Sequence, residues 1–183
     1  MNSTTLNYFN NLQAEDKDLQ YEAFNQIINA TNKQVDWAYE VWEQLIADLK
    51  DSNNHTRSRA AQFLCNLAKS DPEKRMMKDF SAVWEVSFDK KFVTARHTLQ
   101  SIWKIGLAGE EQKNMVLNQF VDRYINCLPE KNYTLIRFDI IQGLRNLYDA
   151  MKDEEIKEIA LELIGKEEDP KYKKKFSSVW KEK

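Results

Sequence analysis

Apolar residues recur three and four positions apart along this chain, the stripe of an amphipathic helix. They also recur as whole segments. TRSRAAQFLCNL, Thr56 to Leu67, returns as TARHTLQSIWKI from Thr94 and as IRFDIIQGLRNL from Ile136. Their apolar slots superpose: Ala60, Thr98 and Ile140; Ala61, Leu99 and Ile141; Leu64, Ile102 and Leu144; Leu67, Ile105 and Leu147. A weaker copy, LQYEAFNQIINA, starts at Leu19, and a frayed one, YKKKFSSVWKEK, at Tyr172. Starts at 19, 56, 94, 136 and 172 are separated by steps of 37, 38, 42 and 36, the signature of a repeat architecture. Between copies lies a second helical pattern over 35–50, 73–88, 110–126 and 153–168. Asp71-Pro72 and Asp169-Pro170 are expected to be N-caps followed by proline at N1, and Gly109 and Gly165 to be C-caps. The pattern predicts about five helix pairs in one domain over 1–183. Its inner helices lie near 17–30, 56–69, 94–107, 136–150 and 171–183, and its first pair is irregular.

These residues resemble HEAT repeats, whose second helix reads roughly V-R-x-A-A-A-x-A-L-G-x-L. Thr56, Arg57, Ala60, Ala61, Leu64 and Leu67 fit that pattern, as do Ile136, Arg137, Ile140, Ile141, Leu144 and Leu147. Family repeats often place an Asp six residues before the Arg, where Asp51 stands relative to Arg57. The next repeat keeps the acid, Asp89, but has Ala95 in the arginine slot with Arg96 beside it; the third has Lys131 in the acid slot. The resemblance implies an all-α, right-handed solenoid of the HEAT or armadillo type with the second helices lining a concave face. It implies no single function, because such arrays serve as scaffolds, adaptors, receptors and a few enzymes.

Composition agrees with helices. Only four Gly and three Pro occur in 183 residues, too few for the turns of a sandwich or barrel. No apolar run approaches the roughly 18 residues of a membrane span, and the polar opening MNSTTLNYFNNLQ does not read as a signal peptide. The two cysteines, Cys65 and Cys127, fit no disulfide or metal spacing, and a cytoplasmic location is expected. His55 and His97, the only histidines, have no Cys, His, Asp or Glu three or four residues on; there is no P-loop, and no metal or cofactor is expected. One DNA glycosylase family is built of HEAT-like repeats, but its tandem Trp-Asp segment is missing. Val35-Asp36-Trp37 and Trp84-Glu85 fall on outer helices, so no catalytic residue is transferred.

A net charge of −2 hides an uneven distribution. The four outer patterns hold 17 Asp/Glu against 8 Lys/Arg. Residues 56–69 and 94–107 carry Arg57, Arg59, Lys69, Arg96 and Lys104 with no acid, and 171–183 holds six lysines against Glu182. Arg57 and Arg137 are expected to be structural. The rest should make the inner face mildly basic. Two polar ladders should run along it: Asn25, Gln62, Gln100, Gln142 and Ser178, and Asn29, Asn66, Lys104, Asn146 and Glu182. At about 8–10 Å per helix, five helices span roughly 40 Å. Trp103 and Phe138 are large aromatics in outward slots, each an anchor or part of the core. The expected partner-binding set is therefore Arg59, Gln62, Asn66, Arg96, Gln100, Trp103, Lys104, Phe138, Gln142 and Arg145. A protein or peptide partner is expected, with no membrane contact; the alternative is nucleic acid, bound or surveyed for lesions.

Overall fold

A computed structural model describes residues 1–181, and the described residues form helices and no strand. The α-helices are α1 (Ser3–Asn11), α2 (Lys17–Ala30), α3 (Ala38–Asp48), α4 (Asn54–Leu67), α5 (Arg75–Val86), α6 (Phe92–Ile102), α7 (Glu110–Asn126), α8 (Tyr133–Met151), α9 (Glu154–Gly165) and α10 (Pro170–Val179). Short 3-10 segments continue α4 over Ala68–Ser70 and α6 over Trp103–Ala108.

The recurring segments are the even-numbered helices, and these pack on one another in chain order: α2 on α4, α4 on α6, α6 on α8, α8 on α10. Odd-numbered helices form a second row, with α3 on α4 and α5, α5 on α6, and α7 and α9 on α8. Alignment of the three strong copies predicts their core residue by residue. Ala60, Ala61, Leu64, Leu67, Thr98, Leu99, Ile102, Ile105, Ile140, Ile141, Leu144 and Leu147 are each at most 1% exposed. A stripe this wide has no single partner, so each inner helix buries it against its own outer helix and its neighbours in the row. Gly143 shows how tight that packing is: a Cβ there would lie 3.0 Å from the Phe120 ring and 3.7 Å from Trp103 Cβ.

The weak first copy is completed by a helix that the polar opening of the chain conceals. α1 is capped by Asn2, whose Oδ1 accepts from Thr5 N, and drives Phe9 edge-on against Trp37 and Phe63, with centroids 5.9 and 6.0 Å away. Three expected helix boundaries are corrected, one of them Gly165, which is the last residue of α9 while Lys166 stands at its C-cap. Asp169 does cap α10 with Pro170 behind it, but Asp71-Pro72 lies in a turn, and α5 starts at Arg75 after Lys74 in the left-handed conformation. The buried Asp71 carboxylate instead spans two helices, accepting from Tyr39 Oη, Arg75 N and Met76 N. Gly109 does not close an α-helix; it follows the 3-10 segment and stands at the N-cap of α7. The expected helix to 183 and the Glu182 rung fall partly outside the described residues.

A candidate partner face on the inner helices

Three arginines of the inner row, Arg57, Arg96 and Arg137, each reach a carboxylate of the following copy or of the turn before it. Arg57 on α4 donates from Nε and Nη2 to both oxygens of Asp89 at 2.6 and 3.0 Å, and from Nη1 to the carbonyls of Asp51 and Ser52. Asp89 precedes α6, so the pair joins consecutive repeats. Two repeats later Arg137 donates to Glu167 at 2.9 Å and to the Tyr124 carbonyl at 3.1 Å. Asp89 and Glu167 each stand five residues before their copy begins. The intervening rung, Ala95 to Lys131, has neither arginine nor acid. In its place Arg96 on α6 makes a two-pronged contact to Asp139 on α8, both bonds 2.7 Å, and Asp139 also accepts from Gln100. The Arg57 bond holds the Asp89 carboxyl below its ordinary range, and the Asp139 bond pushes the Arg96 guanidinium up.

The ten expected residues therefore divide. Asn66 is 1% exposed: its amide bonds to Ile28 O and Thr31 Oγ1 and its oxygen accepts from Lys104 Nζ at 2.7 Å. It is a tie between helices rather than a rung on an open ladder. Lys104 is committed to that tie, and burial lowers its pKa. Trp103 is half-buried against the core where Gly143 lets it approach. Phe138 is likewise half-buried, packing on Phe176 with Lys175 Nζ 4.6 Å from its ring centre. Arg145 pairs with Asp149 and reaches the Val179 carbonyl, and Gln142 bonds to Asn146. Along the row Arg96 and Arg145 are paired with carboxylates, while Lys104 bonds the neutral Asn66 amide. Gln100 is exposed and Gln62 half-buried.

Arg59 differs from the other arginines. Its Nη1 donates to the Leu12 carbonyl at 2.9 Å and its Nη2 to Gln20 Oε1 at 2.8 Å, both uncharged acceptors. The other six arginines each pair with a carboxylate. Partial burial alone pulls the Arg59 pKa down. It lines a cavity of about 490 Å³ between α2, α4 and α6, together with Lys17, Gln20, Tyr21, Phe24, His55, Ser58, Gln62 and His97. No acid lines it. Tyr21, 69% exposed, is the most exposed of the large hydrophobic side chains.

Slot alignment of the copies leads to this cavity although single-residue chemistry does not. His97 occupies the slot of Arg59, and Tyr21 and Ser58 the slot of Arg96 and Phe138. In these slots Tyr21 and His97 are exposed and Arg59 is half-buried, whereas Ser58 and Asp139 are buried. Among the described residues no group of three or more His, Cys, Asp or Glu could hold a metal. Cys65 is fully buried, and burial pushes its thiol up to about 12, far from the thiolate a nucleophile needs. No helix among the described residues is long and apolar enough to cross a membrane. No family model and no curated protein matches the chain, so the functional reading rests on this face and its chemistry.

Proposed function

We propose that the protein is a non-catalytic interaction module, a right-handed solenoid of about five HEAT-like pairs, that holds a protein or peptide partner on its inner face. The observation that carries this reading is the cavity where α2, α4 and α6 meet, lined by aromatic rings, amides and cations on rigid helices. Sites built on packed helices keep their geometry, and amides beside aromatics suit a peptide, which brings backbone donors, acceptors and apolar side chains. Such a module would work in the cytoplasm.

The nucleic-acid alternative requires a track of available cations, because phosphate contacts dominate affinity. Along this face Arg96 and Arg145 are paired with Asp139 and Asp149. A backbone laid across the row would meet those carboxylates as well as the arginines.

A photo-crosslinking amino acid placed at Gln100 or Tyr21, on the inner row, and separately at Leu161 or Met77, exposed on outer helices, tests the proposal in the native host. Protein adducts formed at the inner positions and absent from the outer ones are expected. Adducts confined to the outer helices, or nucleic-acid adducts at the inner ones, would overturn it.

A further inference from the structure

We infer that the cavity between α2, α4 and α6 takes the carboxylate of an acidic peptide segment, with Arg59 as its anchor and Tyr21 and Phe24 as the wall for an adjoining apolar side chain. The inference rests on the inner face being the working surface and names its ligand.

Charge complementarity carries it. Six of the seven arginines are matched by a carboxylate within the protein, which shows how consistently this chain pairs its guanidinium groups. Arg59 is half-buried, and its fork is oriented by two neutral acceptors that fix it without neutralising it. A guanidinium has five N–H donors, so donors remain beyond those two bonds. A desolvated charge held in place without a counter-ion favours an incoming anion, and Arg suits a carboxylate's two oxygens. Lys17 adds a second cation at the start of α2, and His55 and His97 add ring nitrogens without negative charge.

The occupant is a peptide rather than a phosphate polymer because the acid-free stretch is short. Within one helix spacing Asp139 stands on the same face, fixed by Arg96 and Gln100. A chain of phosphates would find the Arg96 guanidinium already matched there, whereas one carboxylate beside an apolar residue needs only Arg59. Gln20 and Gln62 supply amides at the cavity wall, and Gln62 Nε2 is occupied only by Ser58 of its own helix. Tyr21 projects beside them with its ring largely in solvent, an apolar area that folding alone leaves unused.

The test is selection of displayed random peptides, about twelve residues long, on the full chain, followed by fluorescence polarisation with one enriched peptide. Enriched sequences should carry Asp or Glu beside a large apolar residue. Glu→Gln in the peptide, or Arg59→Gln in the protein, should each weaken binding by about tenfold or more. Arg59→Gln also loses the bond to Leu12 that ties α1 down, so Lys17→Glu and Tyr21→Ala, both at exposed side chains, serve as variants that keep the fold. Each should weaken binding with an unchanged melting temperature. Enrichment of neutral or basic peptides, no enrichment at all, or binding indifferent to Lys17→Glu overturns the inference. So does competition by a thymidine oligonucleotide that displaces the peptide at low salt. Peptides sensitive to Gln100→Ala but not to Lys17→Glu would remove this cavity while keeping the inner face as the working surface. Peptides that map to the outer helices would remove both.

Discussion

Arg57 and Asp89 lie 32 residues apart in sequence and share a two-pronged ion pair, with side chains 11% and 6% exposed, that clips one helix pair to the next. Breaking a buried, hydrogen-bonded pair leaves the surviving charge without a partner, which costs about 3–5 kcal/mol. Asp89→Asn and Arg57→Ala should each fall in that range in urea unfolding. The double variant should cost clearly less than the sum, because the second change removes the orphaned charge.

Stability should also depend on pH through this pair. The Arg57 hydrogen bond lowers the Asp89 pKa in the folded state relative to about 3.9 for an ordinary Asp. A carboxyl depressed on folding contributes its full stability above the ordinary value and loses it as pH falls through the lowered one. The stability gap between wild type and Asp89→Asn should therefore be constant from pH 7 down to about 5 and shrink below that. Asp153, depressed by Lys113, contributes a similar acid limb to both proteins, and the difference removes it. Urea midpoints measured from pH 7 to about 3 check this.

Reversing charge on the inner face should separate two kinds of cation. Arg96→Glu would set a carboxylate against Asp139, whose side chain is 2% exposed, and should destabilise the fold by about 3–5 kcal/mol. Lys17→Glu, on an exposed side chain, should stay within about 0.5 kcal/mol. Chemical unfolding of the two single variants checks this.

Core packing gives predictions of known sign. Leu64→Ala and Leu144→Ala, both at fully buried positions, should each cost about 2–5 kcal/mol. The glycines should divide. At Gly143 a methyl group meets the buried Phe120 ring at 3.0 Å, and overpacking of about 1–3 kcal/mol should outweigh the roughly 1 kcal/mol that Ala gains in a helix. At Gly165 nothing lies within 4 Å, so Gly165→Ala should raise stability by up to about 1 kcal/mol. Thermal melts of the two single variants settle both signs.

The helix rows and their core are legible in the sequence because burial acts on every repeat alike, and aligned slots average out local exceptions. Ala60, Thr98 and Ile140 differ in size and polarity yet all face inward. Charge is less legible. Arg96 and Arg145 look available when each helix is read alone, because their partners, Asp139 on the next inner helix and Asp149 one turn on, become visible only once pairs are sought across and along helices. Asn66 sits in a slot that is Asn, Lys or Glu elsewhere, yet the Thr31 hydroxyl and the Lys104 ammonium draw it inside. The middle rung is legible as a pair of departures: Ala95 lacks the arginine and Lys131 lacks the acid, and the two belong to one contact. α1 stayed hidden because a single residue, Phe9, carries much of its aromatic packing.

The account holds that the arginines of the inner row are matched by carboxylates within the protein except Arg59, at the α2–α4–α6 end. Arginine side-chain N–H resonances, followed by NMR while poly-glutamate is added, test this most directly. Arg59 should shift in a saturable way while Arg57, Arg96 and Arg137 stay in place with slowly exchanging Nε–H protons. Comparable shifts at Arg96 and Arg145, as a continuous basic groove would give, or no response at Arg59, would contradict it.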